Sequence, residues 1–530
     1  MISLIIREEL LHAVSREQLH RTLRQRFGLD EFRPGQERAI RAVLAGRDAL
    51  VLMPTGAGKS LIYQLPSLLL PGLTVVVSPL IALMKDQTDK LSALGVAALT
   101  INSSLTDRQQ GLAEAAVGAG HGDLLYVTPE RFRDRAFFEA LRERTVSLFV
   151  VDEAHCISHW GHDFRPDYMM LGEVARRLGR PPILALTATA TPEVQADIAA
   201  QLGMSEPVRE VGELIRPNLF LEVLRTVNVS EKDAALERSL RQLPGAGIVY
   251  TATVKEAERL YEEFGRRWPL ALYHGRRTPR QRDEAQTAFM AGEVKAIVAT
   301  NAFGLGIDKP DIRFIVHYHF PGSLESYYQE AGRAGRDGQP ARCTILYRVE
   351  DRAVQGYFLG GRYPELAEAA AVARRVNAAT PDEPVHLDTI AAAAGVPRRK
   401  ARIVLTLLKR HGAMREHRGG SWHRLVPDVS AVDLGRDLLD YEERRGADRL
   451  KLEAMVGYCR TAHCRTRRLR EYFGEAAPPD WRCGHCDNDA AQHPAAPGRA
   501  RRPADRPAAA HAKAARASGA HHPAEYLGQP

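Results

Sequence analysis

The sequence predicts an α/β protein with two parallel-sheet lobes in tandem, followed by smaller, mainly helical units. Short apolar runs alternate with charged, helix-like stretches from residue 48 onward, an alternation typical of parallel strands covered by helices. The alternation begins again at residues 247–250, GIVY, which indicates the second lobe. We place the junction of the lobes at residues 214–220, LIRPNLF.

Polar loops follow the predicted strands of the first lobe. The strands are DALVL, TVVVS, DLLYV, LFVV and ILALT, and their loops include MPTGAGKS, PLIALMKDQ, TPER, DEAH and TATAT. Strands of the second lobe are predicted at GIVY, LALY, KAIVAT, RFIVHY and CTILY. Ligands of such sheets bind beyond the carboxyl ends of the strands, so we expect the loops to share one site.

Length and composition describe an ordinary globular protein. The chain has 530 residues, of which 45% are apolar and 26% charged, and at about 150 residues per domain this suggests three or four units. No apolar run reaches the roughly 18 residues of a membrane span, and the first residues do not form a signal peptide. We expect a cytoplasmic protein with no membrane partner. A net charge of +8 hints at a polyanionic partner.

MPTGAGKS, residues 53–60, lies between a predicted strand and a predicted helix, the setting of a phosphate-binding loop. In such a loop Lys59 reaches the terminal phosphates of ATP and Ser60 ligates Mg²⁺, while glycines let backbone N–H groups approach the phosphates. Met53 replaces the first glycine of the general pattern, and a glycine-rich turn with an incidental lysine is the alternative. The residues that we assign to ATP here are Thr55, Gly56, Gly58, Lys59 and Ser60.

Two adjacent acids, Asp152 and Glu153, follow another predicted strand. Asp152 is placed to hold Mg²⁺, and Glu153 to polarise the water that attacks the γ-phosphate. The alternative is a structural acid pair that caps the next helix.

QEAGRAGRDG, residues 329–338 of the second lobe, carries Arg333 and Arg336 three residues apart, near one face of a helix. Either arginine would stabilise a phosphoryl transition state across the cleft. A basic surface turn is the alternative.

Residues 364–427 change character. Two helical stretches, a third with an apolar stripe at i, i+3, i+4 and i+7, and a glycine pair at 419 and 420 outline a winged helix-turn-helix. A three-helix connector would give much of the same pattern. The stripe residues are Ala401, Val404, Leu405 and Leu408.

Together MPTGAGKS, DEAH, TATAT, ATNAFGLGIDKPDIR and QEAGRAGRDG resemble the two-lobed superfamily of DNA and RNA helicases, which implies RecA-like lobes. HWGHDFRPDY after DEAHCIS is similar to the aromatic-rich loop of the RecQ family of DNA helicases. FGLDEFRPGQERAI, residues 27–40, is similar to that family's adenine-reading segment. The resemblance covers residues from about 20 to 350.

The resemblance implies further site residues. Gln36 reads adenine, helped by Phe27 and Arg33. Gly306 and Asp308 complete the cleft from the second lobe. The residues that would couple the lobes are Thr187 and Thr189.

DEAHCISHWGHDFRP, residues 152–166, holds both the acid pair and an aromatic group. Trp160 and Phe164 offer faces worth roughly 1 to 3 kcal/mol per stacked base, and Arg165 adds charge. The segment would therefore couple ATP hydrolysis to DNA binding. The alternative is that both aromatics fill a core. We include His155 and His162 in this coupling group; His159 stands where the family commonly has Gln.

The resemblance implies an ATP-dependent DNA helicase that moves 3′ to 5′ on single-stranded DNA and unwinds duplexes in recombination and repair. We expect ATP, Mg²⁺ and Zn²⁺ as cofactors, a monomer, and single-stranded and duplex DNA as partners, with a single-stranded-DNA-binding protein as a further candidate. The alternatives are a DNA- or RNA-dependent translocase that does not unwind and a DNA-binding regulator switched by ATP.

CRTRRLREYFGEAAPPDWRCGHCDND, residues 464–489, resembles the zinc-binding segment of the family, in which four cysteines are usual. Cys464, Cys483 and Cys486 match three of them, and C-x-x-C is a standard zinc chelate. Asp489 is the leading fourth ligand and Cys459 the runner-up. His463 and His485 remain open, as does a metal-free reading.

The order of the units departs from the family, in which the winged domain typically follows the zinc segment. We nevertheless predict that the basic helix grips duplex phosphates without reading sequence and that Trp422 on the hairpin lies near the fork. A solvated helix face is the alternative. The basic residues are Arg398, Arg399, Lys400 and Arg402.

The predicted boundaries follow from these motifs. They are a helical extension at 1–20, an ATP-binding lobe at 21–215, a second lobe at 216–350, a winged-helix-like domain at 351–430, a helical zinc-binding segment at 431–489 and a disordered basic tail rich in Ala and Pro at 490–530.

Overall fold

The computed structural model describes residues 14–492 except positions 55, 103, 159, 162, 213, 215, 305, 306, 308, 362, 380–382 and 418–420. Most of the predicted N-terminal extension and nearly all of the predicted tail lie outside the described residues. Within the described part, no helix has both the length and the apolar character that crossing a membrane requires.

The first lobe is a seven-stranded, entirely parallel sheet in the order β3-β4-β2-β5-β6-β1-β7. Its strands are β1 (Ala49–Leu52), β2 (Leu73–Val77), β3 (Ala98–Ile101), β4 (Leu124–Val127), β5 (Val146–Val151), β6 (Ile183–Thr187) and β7 (Val208–Val211). Its helices are α1 (Arg16–Phe27), α2 (Gln36–Leu44), α3 (Leu61–Ser67), α4 (Ile81–Ala93), α5 (Asp107–Gly118), α6 (Arg135–Arg142), α7 (Leu171–Arg177) and α8 (Pro192–Gln201).

The second lobe is a six-stranded parallel sheet in the order β10-β11-β9-β12-β13-β8. Its strands are β8 (Leu219–Arg225), β9 (Ala246–Tyr250), β10 (Leu270–Tyr273), β11 (Ala296–Ala299), β12 (Ile312–His317) and β13 (Ala341–Tyr347). Its helices are α9 (Val229–Gln242), α10 (Val254–Phe264), α11 (Pro279–Ala291) and α12 (Leu324–Ala331). The predicted architecture of two parallel-sheet lobes is confirmed.

All ten predicted strands are present, but the structure adds β3, β7 and β8. Each of the three is an edge strand of its sheet. Each contains polar residues: β3 is ALTI, β8 is LFLEVLR, and β7, VREV, alternates buried and exposed positions along its length. The search for continuous apolar runs therefore missed them.

The remaining chain forms a helical hairpin with a small unit inserted between its arms. Helix α13 (Asp351–Gly360) packs against the long helix α17 (Gly435–Arg460). The inserted unit has a three-stranded antiparallel sheet, and α18 (Arg465–Tyr472) and α19 (Asp487–Gln492) follow the hairpin. The elements of the inserted unit are α14 (Leu366–Asn377), β14 (Val385–His386), α15 (Leu387–Ala394), α16 (Arg398–Arg410), β15 (Met414–Glu416) and β16 (Ser421–Arg424).

The second lobe and the C-terminal helices share one apolar core. Met455, Tyr458 and Cys459 of α17, together with Phe473 just after α18, are buried in the cluster that contains the inner residues of the second sheet. The inserted unit has its own core, which holds the predicted stripe of α16 and Trp422. The C-terminal helices are therefore fixed to the second lobe by packing.

A buried ion pair joins α9 to the start of α13. Lys232 Nζ lies 2.6 Å from Asp351 Oδ2, and the two side chains are 1% and 7% exposed. Burial lowers the pKa of Lys232, and burial raises the pKa of Asp351. Because neither charge reaches water, each depends on the other.

We expect Lys232→Met to lower the free energy of unfolding by about 3–5 kcal/mol, because Asp351 is left as an uncompensated buried charge. Urea unfolding measures this. Lys232→Met combined with Asp351→Leu should recover most of the loss, and Arg352→Ala, which removes an exposed pair with Glu453, should cost less than about 1 kcal/mol. Equal losses for Lys232→Met and Arg352→Ala would contradict this account.

Candidate functional site

The loop after β1 has the geometry of a phosphate cradle. Gly56 and Gly58 have φ of +84° and +81°, and a Cβ on Gly58 would lie 2.7 Å from Gln36 Nε2, so a side chain would not fit there. Lys59 Nζ donates to the carbonyls of Met53 at 3.0 Å and Pro54 at 3.4 Å. Thr55 lies outside the described residues.

The predicted adenine-reading segment forms hydrogen bonds with this loop. Gln36 is buried, and its Nε2 donates to the carbonyls of Ala57 at 3.2 Å and Gly58 at 3.0 Å. Its Oε1 accepts from the backbone N–H of Arg33 at 2.8 Å, and the Arg33 guanidinium donates to the Gly56 carbonyl. The amide of Gln36 therefore ties the segment to the phosphate loop, while Phe27 packs against the core of the lobe.

The acid pair lies at the end of β5, which β6 separates from β1 and its phosphate loop in the sheet. Burial and the neighbouring Glu153 raise the pKa of Asp152 to about 7, and the Lys59 ammonium opposes this shift. Glu153 has φ of +49°, a left-handed conformation that is strained for a residue with a side chain. Its backbone N–H donates to Asp152 Oδ1 at 3.0 Å.

The two lobes meet at a cavity of ≈ 240 Å³. Lys59, Asp152 and Glu153 line it from the first lobe, and Arg333 and Arg336 line it from the second. Five of the residues assigned to catalysis from the sequence are thus brought together in one cleft. Ser60, Gly56 and Gly58 share it, whereas Gly306 and Asp308 lie outside the described residues.

The motif search missed residues that shape this cleft. Gln329 lines the cavity one helical turn before Arg333, and its place at the start of QEAGRAGRDG is the signal that could have found it. Arg216, in the segment that joins the lobes, donates to the carbonyls of Gly332 at 3.0 Å, Ala334 at 3.0 Å and Gly335 at 2.6 Å. Arg216 therefore positions the turn that carries the two arginines.

The segment after the acid pair contacts β6 inside the first lobe. His155 is buried, and its Nδ1 lies 2.9 Å from Thr187 Oγ1. Thr187 Oγ1 also accepts from the backbone N–H of Thr189 at 3.2 Å. Burial lowers the pKa of His155 to about 4, so the ring is neutral near pH 7.

The aromatic-rich loop leaves Trp160 46% exposed, which is unusual for an indole. Phe164 is half-buried, with the Arg444 guanidinium of α17 4.2 Å from its ring centroid. Arg165 pairs with Asp163 at 3.0 Å. His159 and His162 lie outside the described residues. Trp160 therefore does not fill a core, contrary to the alternative interpretation.

Helix α17 also holds the backbone of this loop. Lys451 Nζ donates to the carbonyls of Trp160 at 2.5 Å and Gly161 at 2.9 Å. Nothing in the sequence signals this contact, because the partners are separated by 291 residues and neither belongs to a joint motif.

Four predicted ligands form one cluster near α18 and α19. The ligand atoms of Cys464, Cys483, Cys486 and Asp489 all lie within 4.8 Å of one another. Asp489 Oδ2 accepts from the backbone N–H of Cys483 at 2.8 Å, while Oδ1 is buried and has no hydrogen-bond partner in the described structure. Its only charged neighbour in the described structure is Arg482, with Nη1 3.6 Å from Oδ1. Three thiols and a carboxylate fit Zn²⁺.

The other candidate ligands are placed elsewhere. Cys459 lies in the core of the second lobe and is not part of the cluster. His485 uses Nδ1 to contact the Leu219 carbonyl at 2.8 Å, and His463 is not in the cluster either.

The predicted DNA contacts of the inserted unit need correction. Trp422 is 1% exposed and packs in the unit's core, so its ring does not lie at a fork. Lys400 is also buried and pairs with Glu368 at 2.9 Å. Arg398 pairs with Asp388, and Arg402 pairs with Glu416 at 3.4 Å. These side chains stabilise the unit, and the prediction is wrong for Trp422 and Lys400.

Three family models match consecutive parts of the chain. The DEAD/DEAH box helicase model matches residues 33–198, the helicase conserved C-terminal domain model matches 231–338, and the RecQ zinc-binding model matches 432–490. The probable ATP-dependent DNA helicase RecS of Bacillus subtilis (strain 168) is 35% identical over 481 residues, which cover 89% of this chain and 92% of the relative. The chain belongs to the RecQ family of DNA helicases.

Other relatives agree with this assignment. The ATP-dependent DNA helicase RecQ of Bacillus subtilis (strain 168) is 37% identical over 488 residues, 90% of this RecQ-family chain and 68% of the relative. Because the inserted unit falls between the second and third matched regions, it precedes the zinc-binding segment in this RecQ-family member, as the sequence indicated.

Solved helicases share the fold of this RecQ-family chain. Mycobacterium smegmatis helicase Lhr bound to ssDNA and AMP-PNP gives a TM-score of 0.53 at 21% identity, over 84% of this chain and 62% of that one. S. cerevisiae Dbp5 bound to RNA and ADP BeF3 gives 0.51 at 19%, over 66% and 92%. At these identities the likeness shows the two RecA-like lobes and nothing finer.

The neutral, buried His155 generates a prediction about pH. Its pKa is lowered from 6.5 to about 4, so between these values the unfolded chain binds a proton that the folded chain does not. Stability from this site is therefore lost as the pH falls below 6.5, by roughly 2 kcal/mol between pH 7 and pH 5. We expect His155→Gln to show a smaller drop in Tm over this range than the wild type.

The matched control for this prediction is His121→Gln, which replaces an exposed histidine and should leave the acid sensitivity unchanged. An identical drop in Tm for the wild type and His155→Gln would show that His155 is not buried in its neutral form.

Proposed function

We propose that this chain is an ATP-dependent DNA helicase that moves 3′ to 5′ on single-stranded DNA and separates duplexes in recombination and repair. The observation that carries the proposal is the continuity of residues 152–168. This segment begins in the cleft at Asp152, exposes Trp160, and returns to the core of the first lobe, where Tyr168 OH donates to the Asp152 carbonyl at 3.0 Å. One short segment thus reaches the ATP cleft at one point and, at another, exposes an aromatic ring on which a base could stack.

The residues of the cleft fit a nucleoside triphosphate with Mg²⁺. Ser60 and Asp152 would hold the ion, which when bound neutralises charge on the phosphates. Lys59 would exchange its carbonyl partners for phosphate oxygens, and Glu153 would orient and polarise the attacking water. Arg333 and Arg336 would stabilise the charge that develops on the far side.

The aromatic-rich loop would bind bases. Trp160 would stack on a base directly, whereas Phe164 would first have to lose Arg444 from its face. A shift of the loop would reach the acid pair through Tyr168 and reach β6 through His155 and Thr187. Base stacking and water attack are coupled in this proposal because one segment takes part in both.

We further propose that Cys464, Cys483, Cys486 and Asp489 hold one Zn²⁺ in a closed, structural site. Oδ1 of Asp489 supports a carboxylate as fourth ligand, since this buried oxygen makes no hydrogen bond and has only the Arg482 guanidinium at 3.6 Å. The ion would join α18 to the loop before α19 and so fix these two helices on the second lobe.

The order of elements in the inserted unit, helix, strand, helix, helix and hairpin, supports its interpretation as a winged helix. Residues 418–420 of the hairpin turn lie outside the described residues. The monomeric state, the domain boundaries and a single-stranded-DNA-binding partner stay predictions.

The proposed function predicts the behaviour of Trp160→Ala. We expect basal ATPase to be unchanged, while stimulation by single-stranded DNA falls by about tenfold or more, because a stacked base is lost. ATPase titrations with single-stranded DNA, duplex DNA and RNA, together with strand displacement from a 3′ overhang, measure this.

Two control variants accompany that experiment. Lys59→Ala should abolish turnover with or without DNA, and Tyr357→Ala, which removes an exposed aromatic of α13, should behave as wild type. The proposal fails if wild-type ATPase does not respond to DNA, or if Trp160→Ala responds fully. Stronger stimulation by RNA than by DNA would favour an RNA-directed translocase.

The zinc ligands predict the zinc binding of three variants. We expect about one Zn²⁺ per wild-type chain, an affinity for zinc lower by about tenfold or more in Asp489→Ala, and normal zinc in Cys459→Ala. Metal analysis and competition with a colorimetric chelator measure these values. Asp489→Cys should restore binding. Zinc retained in Asp489→Ala but lost in Cys459→Ala would assign the fourth ligand to Cys459.

A further inference from the structure

A second groove lies at the carboxyl edge of the second sheet. It has a volume of ≈ 300 Å³ and is lined by the ends of β9 and β12, the start of α12, and parts of α13 and α17. The first turn of α16 reaches it from the inserted unit through Arg399. Three separate parts of the chain therefore build this groove.

Two cations face the groove from the C-terminal part of the chain. Arg399 is exposed and, within the described structure, makes no ion pair, in contrast to its neighbours Arg398 and Lys400. Lys451 contributes the second charge. The carboxylates that face the groove are already bonded, Glu330 to His317 and Asp448 to the Tyr363 hydroxyl at 3.1 Å.

The floor of the groove holds a polar atom that has no partner. His317 is buried, and its Nε2 lies 2.8 Å from Glu330 Oε2, whereas its Nδ1 has no hydrogen-bond partner in the described structure. The ring stacks on Tyr250, with centroids 5.3 Å apart. A buried polar atom without a partner, in a groove open to solvent, indicates a place where a ligand or its bridging water binds.

The groove is continuous with the aromatic-rich loop. Lys451 lines the groove and also donates to the carbonyls of Trp160 and Gly161, so one side chain bounds both sites. A polymer whose base stacks on Trp160 would therefore meet the groove next. The neighbouring serines and the backbone N–H groups at the start of α12 add donors for an anion.

We propose that this groove binds the sugar-phosphate backbone of single-stranded DNA as it passes Trp160, with Arg399 contacting a phosphate. The inference rests on the proposed function and extends it. The inserted unit then serves as one wall of the single-strand path, and it does not act as a clamp on duplex DNA. Such contacts bind without reading sequence.

The test compares Arg399→Ala with Arg398→Ala in the full chain. Arg398 is the adjacent cation, but it pairs with Asp388 and does not line the groove. Binding of a fluorescent oligo(dT) strand and of a blunt duplex is followed by anisotropy at salt concentrations from about 50 to 200 mM, without nucleotide. Thermal unfolding checks that each variant is folded.

We expect Arg399→Ala to bind oligo(dT) roughly three- to tenfold more weakly, with the salt slope smaller by about 0.7, because one phosphate contact is lost. Arg398→Ala should match the wild type, and Arg399→Lys should keep the wild-type slope. The oligo(dT) concentration for half-maximal ATPase should rise by the same factor in Arg399→Ala.

Wild-type affinity and slope in Arg399→Ala would overturn the inference, and so would an equal loss in Arg398→Ala. A loss confined to the blunt duplex would also overturn it, in favour of a duplex clamp. Failure of the wild type to unwind DNA would remove the proposed function, yet the binding comparison would still decide whether Arg399 contacts the single strand.

Discussion

The hydrogen bond from the Tyr168 hydroxyl to the Asp152 carbonyl closes residues 152–168 into a loop anchored at both ends in the first lobe. Tyr168 is fully buried, so its hydroxyl has no water as an alternative partner. The two ends cannot separate without breaking this bond, whereas the middle of the loop, which carries Trp160, reaches solvent. Under the proposed function, a displacement of the exposed part would act on the backbone of Asp152 through this hydrogen bond.

The parallel sheet explains why motifs far apart in sequence could be assigned to one site. The loops after β1, β5 and β6 leave the same edge of the sheet, so the phosphate loop, the acid pair and Thr187 had to be close together. The arginines of the second lobe were assigned from their spacing in QEAGRAGRDG and from the positive charge that a phosphoryl transition state needs across the cleft. For these residues, residue type and strand position were enough, because a parallel sheet leaves little freedom in where its loops point.

Other features could not be predicted from the sequence, for physical reasons. Burial of Trp422 depends on how the three-residue strand β15 pairs with β16, which carries Trp422. The sequence of so short a hairpin is the same whether the aromatic side chain faces the core or solvent. The contacts of Arg444 and Lys451 with the aromatic-rich loop depend on docking between distant segments. Amphipathic periodicity says that one face of a helix is buried, but it does not say which partner covers it.

Helix α17 links these parts, because its 26 residues, about 39 Å at 1.5 Å per residue, run from the inserted unit to the core of the second lobe. Its attachments differ in strength along this length. Met455, Tyr458 and Cys459 lie in a continuous apolar core with the second lobe, and removing one such side chain costs about 2–5 kcal/mol. Towards the first lobe it offers the Lys451 hydrogen bonds and the stacking of Arg444 on Phe164.

Each of those polar contacts contributes about 1 kcal/mol, or up to about 3 kcal/mol for a charged donor. If the lobes move apart, the weaker attachment would break first, so α17 would travel with the second lobe and leave the aromatic-rich loop. Opening of the cleft would thus uncover the face of Phe164 and release the backbone of Trp160 in the same movement. Under the proposed function, the cycle of the cleft would then control how the loop meets DNA, through a helix that lines no part of the ATP cavity among the described residues.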